Sequence, residues 1–292
     1  MIKRTFGEKA FDLINVLLLA LLGASAAIPI VHVLAGSFSS ANALIHNKVS
    51  LWPVELTFDN YRLVLHTPEF WRAFRMTLLV VGVGTLVNMV FTVTTAYPLS
   101  KSMLRGRRFV LLAILFTMIF HAPLIPVYLV VKAFGMLNSI WSLIIPGVIG
   151  TFNLILCMSF FRSLPEELFD AAKVDGMNEY RMIGSIVVPL SKPIMMTLLL
   201  FYAVGNWNSY MGPLMFISDR ELQTLPIYLY RLISQGSSND FAAAASIESS
   251  LKILPEALEM AIIVLSTLPI VLLYPFLQKH FIAGSMLGSI KE

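Results

Sequence analysis

Reactive side chains are few in this sequence, and none is arranged for bond chemistry. There is no His-Glu-x-x-His pair for zinc, and no carboxylate pair or Ser/His/Asp set falls inside an apolar run. A Gly-x-x-x-x-Gly-Lys-Ser/Thr loop to cradle phosphate is also missing, because the dipeptide Gly-Lys does not occur. Cys157 is the sole cysteine, so neither an internal disulfide nor a cysteine metal framework can form. It lies within an apolar run and reads as a small core residue. Two groups of residues keep a chemical character. One is the polar cluster Asn206, Trp207, Asn208, Ser209 and Tyr210. Amide hydrogen bonds and aromatic faces are what a polyol site needs, although the same residues can equally tie helices together in a membrane. The other is a charged island from Leu164 to Pro193, LPEELFDAAKVDGMNEYRMIGSIVVPLSKP, set between apolar runs.

Within the island, Ser163 and Glu166 have the spacing of a capping box, and Pro165 falls in the first turn, where its missing N–H costs nothing. The pattern predicts a helix from Glu166 to Asp175, ended by Gly176 in the left-handed conformation. Asn178 can cap a second helix, from Glu179 to about Val188, which Pro189 closes; Pro193 then opens the next apolar run. Leu168, Ala171, Ala172 and Asp175 stand at i, i+3, i+4 and i+7 and share one face. Ala171 and Ala172 permit close approach, while Phe169 and Val174 can fill a partner's groove. Two readings stand open on these residues alone: a stiff docking projection, or an ordinary amphipathic surface helix.

The elements that must position these residues follow from composition. Of 292 residues, 57% are apolar and only 13% charged, with a mean hydropathy of +0.79, against about 25% charged in soluble domains. Runs long enough to cross a bilayer lie at about 13–35, 76–98, 109–131, 140–161, 194–217 and 260–276. They predict an all-α, polytopic membrane protein with six transmembrane helices, a single transmembrane domain over 1–292, and a charged loop at 162–192. Ala24-Ser25-Ala26 imitates a signal-peptidase site, but the apolar run continues through Ile28, Ile30, Val31, Val33 and Leu34, so an uncleaved span is expected. Residues 36–75 read as a polar loop, with Trp52, Phe70 and Trp71 at a membrane interface and 70–75 as a short surface helix. Gly82, Gly84, Thr85, Thr92, Thr94 and Thr95 give the second span a small-residue face. His121, Pro123 and Pro126 should kink the third. Residues 218–259 form a second long loop with a flexible tip at 234–240.

Charge sets the expected orientation. The amino terminus, the turn with Lys101, Arg105, Arg107 and Arg108, the loop 162–192 that contains the island, and the tail together hold 13 of the 21 Lys and Arg residues. Basic residues favour the cytoplasmic side, which puts both termini and the island inside and loops 36–75 and 218–259 outside. The net charge of +4 therefore reads as topology, and no nucleic-acid partner is expected.

The island also carries a resemblance. Asp170-Ala171-Ala172, Gly176 after three residues, and Ile186-Val187-Val188-Pro189 after nine more keep the spacing of the cytoplasmic E-A-A-x-x-x-G-x9-I-x-L-P signature of ABC importer permeases. Asp stands for Glu, and Val for Leu. LPEELFDAAKVDG, PLSKP and the tail QKHFIAGSMLGSIKE are similar to the maltose-type carbohydrate-uptake permeases, in the branch for polysaccharide-derived oligosaccharides of Gram-positive bacteria. The resemblance covers nearly the whole chain and implies the type I ABC importer permease fold. It implies that the island docks in a cleft of an ATPase, with Asp170 meeting a basic residue. Glu166, Leu168, Phe169, Ala171, Ala172, Val174, Asp175, Gly176, Ile186 and Pro189 belong to that coupling element. The tail residues Phe281, Gly284, Gly288 and Lys291 are expected to reach the ATPase dimer interface; a frayed terminus is the alternative. Asn206, Trp207, Asn208 and Tyr210 would lie along the translocation path, and loop 218–259 would either probe a solute-binding protein or merely connect.

By these boundaries no span contains Asp, Glu, Lys or Arg, whereas proton-coupled carriers need an ionisable group at membrane depth. His32 and His121 are the only candidates; His32 falls near a span end, and His121 is expected at the end that Pro123 and Pro126 loosen. The expected protein is thus a non-enzymatic permease subunit, forming the pathway for an oligosaccharide in a bacterial cell membrane. Its expected partners are a second homologous permease, two ATPase subunits carrying ATP and Mg, and an extracellular solute-binding protein. ATPase closure would draw two docking elements together and switch the pore from inward- to outward-open. A secondary carrier, or an ABC permease for a peptide or polyol phosphate, stays open on the sequence.

Overall fold

A computed structural model describes residues 6–120, 122–234 and 255–285, and all regular structure among them is helical, as expected. The chain forms two compact units, residues 1–70 with 229–268 and residues 71–228 with 269–292.

The first unit begins with α1 (Phe6–Ser37), longer at both ends than the expected 13–35. Its most apolar stretch buries nothing, the condition of a helix surrounded by acyl chains. The segment read as a polar loop is structured. Ser40 accepts from the Ala43 N–H and starts α2 (Ala41–Ile45), and α3 (Asp59–His66) follows. Asn60 donates to the carbonyls of Ser37 and Ser39, both at 3.1 Å. The hydroxyls of Ser37 and Tyr61 meet at 2.7 Å. Polar loop side chains thereby close backbone groups that the end of α1 leaves open. His32, near the end of α1, shares a 2.8 Å hydrogen bond with the Ser50 carbonyl, while His121 lies outside the described residues. Phe70, expected at an interface, is buried, whereas Trp52 is exposed. Residues 70–75 form no separate surface helix; they belong to α4 (Pro68–Ser100). Pro68 opens that helix, where its missing N–H costs nothing, and Pro98, which cannot donate to the Thr94 carbonyl, falls only two residues before the helix ends at Ser100.

In the second unit the expected spans are broken. The run 109–131 divides into α5 (Arg107–Ile119) and α6 (Leu124–Ala133), because Pro123 restricts Ala122 and cannot donate. The run 140–161 divides into α7 (Ile140–Ile144), a 3₁₀ turn at Ile145–Gly147, and α8 (Thr151–Arg162), bent by 53°. The island forms α9 (Glu166–Val174), α10 (Glu179–Met182), a π-helical turn at Ile183–Val187 and α11 (Val188–Leu190). At Ser191 the chain turns by 89° into α12 (Lys192–Trp207), with Pro193 in its first turn as expected. The expected fifth span, 194–217, therefore ends ten residues early by helix continuity, and α13 (Met211–Phe216) is separate. The second long loop contains α14 (Leu225–Ser234), while its tip beyond Ser234 lies outside the described residues. The last helix, α15 (Pro255–Ser285), extends past both ends of the expected 260–276.

Three helices are long and apolar enough to cross a bilayer alone, and counting each of three bent pairs as one span gives up to 6. The core of the second unit joins four regions: Val93, Ala96 and Tyr97 of α4; Leu154, Cys157 and Phe161 of α8; Phe169, Ala172 and Met182 of the island; and Leu198 and Tyr202 of α12. The island is thus packed into the bundle rather than hung from it. Of the small-residue face expected on the second span, Thr85 and Thr92 are buried, whereas Thr94 is exposed and bonds only to its own helix.

Candidate functional site

The island folds back on itself as an elbow, and its turn is built from local bonds. Gly176 has φ +75°, in the left-handed region. Its N–H donates to the Lys173 carbonyl at 3.0 Å, and the Met177 N–H donates to Ala172 at 2.9 Å. This pair of bonds is a Schellman closure, satisfying carbonyls at the end of α9. Asn178 accepts from the Arg181 N–H at 2.8 Å and starts the second limb, as its spacing predicts. The start of α9 differs from expectation. Pro165 takes the N-cap position with no side-chain cap, and the Ser163 hydroxyl donates to Phe160 instead, because Ser163 ends α8. No capping box forms. Nor does Pro189 close the second limb; helical structure continues to Leu190. The π turn immediately before Pro189 widens the helix where its ring would crowd the Ser185 carbonyl.

The outward face of α9 also differs from the one expected. Phe169 and Ala172 are each 3% exposed, so neither is available to a partner; both pack into the core. Glu166, Leu168, Asp170, Ala171 and Asp175 are exposed, and Val174 is 88% exposed. Tyr180, at 83%, extends this surface onto the second limb. The sequence reading missed it, although an aromatic residue in a charged, capped segment was the available signal. Ile186 packs against the core, and Pro189 is exposed.

The polar cluster after residue 205 falls at a helix end. Asn206 donates to Thr85 Oγ1 at 3.3 Å and to Asn88 Oδ1 at 3.1 Å. Asn88 in turn donates to the carbonyls of Gly147 and Val148, at 3.1 and 2.8 Å. The Tyr202 hydroxyl lies 2.6 Å from Thr92 Oγ1 and accepts from the Gly150 N–H at 3.1 Å. These side chains serve the backbone groups released where α7 gives way to α8, which water cannot serve within a bilayer. Gly84 faces this network so closely that a Cβ there would stand 2.9 Å from Asn206 Nδ2. Trp207 is buried, edge-on to Phe74 with ring centroids 6.2 Å apart. Asn206 and Trp207 are therefore engaged between helices. Asn208, which ends α12, is exposed, and Tyr210, which starts α13, is half-buried. Asn88 and Tyr202 were not singled out from the sequence; an amide within an apolar run was the signal for the first. In the tail, Phe281 and Gly284 fall on α15, so the helix continues beyond the expected span end, while Gly288 and Lys291 lie outside the described residues.

Comparison with known proteins bears on both regions. Residues 79–284, which hold the elbow and the polar network, match the model of the binding-protein-dependent transport system inner membrane component family. Protein LplC of Bacillus subtilis is 39% identical over 98% of this chain and 97% of its own length. The polygalacturonan/rhamnogalacturonan transport system permease protein YtcP of the same organism is 36% identical over 97% and 99%. Among solved structures, a bacterial ABC transporter involved in import of the acidic polysaccharide alginate superposes with a TM-score of 0.90 at 31% identity. That match covers 96% of this chain and 100% of the other. A second chain, from a bacterial alginate ABC transporter in complex with a pentasaccharide-bound periplasmic protein, shares the fold at 16% identity and a TM-score of 0.51. With its apolar helices, its elbow and these full-length likenesses, the chain belongs to the family of inner membrane components of binding-protein-dependent transport systems, the permeases of ABC importers.

Proposed function

We propose that this permease moves an oligosaccharide and is driven at its elbow by a separate ATPase. The observation that carries the reading is the two-sidedness of α9: Phe169 and Ala172 lock one face into the core, and Leu168, Asp170, Ala171, Val174 and Asp175 leave the other open. A helix fixed along one side transmits a push, where a free loop would absorb it. The exposed side offers apolar surface at Val174 and Leu168, with Asp170 positioned for a basic residue of the ATPase. ATP and Mg would sit on two ATPase copies, and this chain would itself make or break no bond. A second, homologous permease would complete the pore, and an extracellular solute-binding protein would deliver the sugar. The Lys and Arg distribution supports both termini and the elbow facing the cytoplasm. The sugar class is supported by relatives whose names refer to polygalacturonan/rhamnogalacturonan, arabinooligosaccharides and melibiose/raffinose/stachyose. Asn208 and Tyr210 are the members of the polar cluster we assign to the solute path, and Phe281, Gly284, Gly288 and Lys291 are assigned to an ATPase contact.

Val174→Arg tests the docking face without touching the core. The variant should insert normally, yet hold its ATPase subunit about tenfold less tightly, the scale of an interface anchor. Co-purification of permease and ATPase at the unaltered ratio would overturn the docking assignment.

A further inference from the structure

We infer that Tyr97 and Lys101, at the C-terminal end of α4, clamp both limbs of the elbow and make α4 a direct recipient of its motion. The inference rests on the proposed drive at the elbow and adds a route by which that drive enters the bundle. Tyr97 lies in the last turn of α4, and Lys101 is the first residue beyond its end. On the first limb, Lys101 Nζ sits over the Phe169 ring, 2.9 Å from its centroid, and 5.3 Å from that of Tyr97. The Tyr97 and Phe169 rings lie with centroids 6.2 Å apart. On the second limb, the Tyr97 hydroxyl donates to Glu179 Oε2 at 2.5 Å, a short bond to a carboxylate. One contact thus falls before Gly176 and one after it.

These contacts do something the covalent joints do not. The elbow is tied in sequence to α8 through the non-helical link at 163–165 and to α12 through the 89° bend at Ser191. Neither joint is a straight rod. The clamp reaches α4 from the side, and about 14 Å further along that helix, nine residues at its usual rise, Asn88 holds the carbonyls of Gly147 and Val148 and the amide of Asn206. A displacement of Tyr97 therefore reaches the break between α7 and α8, and the end of α12, through one continuous helix. Burial pushes the Lys101 amine down, and Lys173 adds to this, while Glu179, Glu166 and Asp170 oppose it. Lys101 is half-buried beside the charges of the elbow.

The test uses the assembled importer with its ATPase subunits, and compares hydrogen exchange without nucleotide and with ATP plus vanadate. In the parent, nucleotide should alter exchange both at 166–176 and at 93–104. In the double variant Tyr97→Phe, Lys101→Met, the change at 93–104 should fall about tenfold, from loss of a charged hydrogen bond and a cation–π contact, while the change at 166–176 persists. Lys101→Arg, which keeps the cation over the ring, should retain the parental response. A parental response at 93–104 in the double variant, or none there in the parent while 166–176 responds, would overturn the clamp. Silence at 166–176 in the parent would instead refute the drive at the elbow, and with it the premise of the clamp.

Discussion

The turn at Gly176 and the break between Ile145 and Gly150 both interrupt helices, and they are closed by opposite means. At Gly176 every closing bond comes from within five residues: Gly176 to Lys173, Met177 to Ala172, and Arg181 to Asn178. At the break, the backbone groups of Gly147, Val148 and Gly150 are served by Asn88 and Tyr202, which lie more than fifty positions away. The turn itself, residues 173–176, is exposed, so water can finish whatever its local bonds leave open. The break belongs to a pair of helices that counts as one apolar span, where the protein must supply the partners itself. A local motif suffices in water; in hydrocarbon an interruption becomes a tertiary feature.

This contrast can be broken by substitution. The largest effect is expected from Asn88→Leu, which leaves the carbonyls of Gly147 and Val148 without their donor and removes a partner of Asn206. It should cost about 3 kcal/mol, read as a lowered thermal midpoint of the purified protein in detergent. Gly176→Ala comes next. A Cβ there would meet nothing within 4 Å, so the cost is the left-handed backbone alone, about 1.5 kcal/mol. Asn178→Ala removes one cap and should cost about 1 kcal/mol. If Asn88→Leu proves no more damaging than Asn178→Ala in the same unfolding measurement, the distinction between the two interruptions fails.

How much could be read in advance follows the same division. The elbow's end at Gly176, its restart at Asn178 and the re-entry at Pro193 were all legible, because capping chemistry acts over three or four residues. Ser163 misled, since a residue spaced for one helix start was already committed to ending α8. Phe169 misled as well: on the sequence it suits a partner's groove, and only the folded chain shows α4 occupying it. Pro123 and Pro126 marked the run 109–131 for a kink, and it is broken there; the unbroken readings of 140–161 and 194–217 came from hydropathy, which counts apolar residues without reporting the direction of the chain. The polar cluster at Asn206 was visible, but its partners Thr85 and Asn88 lie over a hundred positions earlier.

By itself, then, the amino-acid sequence determined the helical class, the membrane setting, the family signature and the elbow's turn, because each depends on composition or on neighbours within one helical turn. The tertiary structure decided which face of α9 is open, where the spans break, and that Asn206 and Trp207 spend their side chains between helices. Those outcomes depend on which distant backbone groups lack a partner and which side chain lies close enough to provide one. That is a matter of packing, and spacing along the chain carries no record of it.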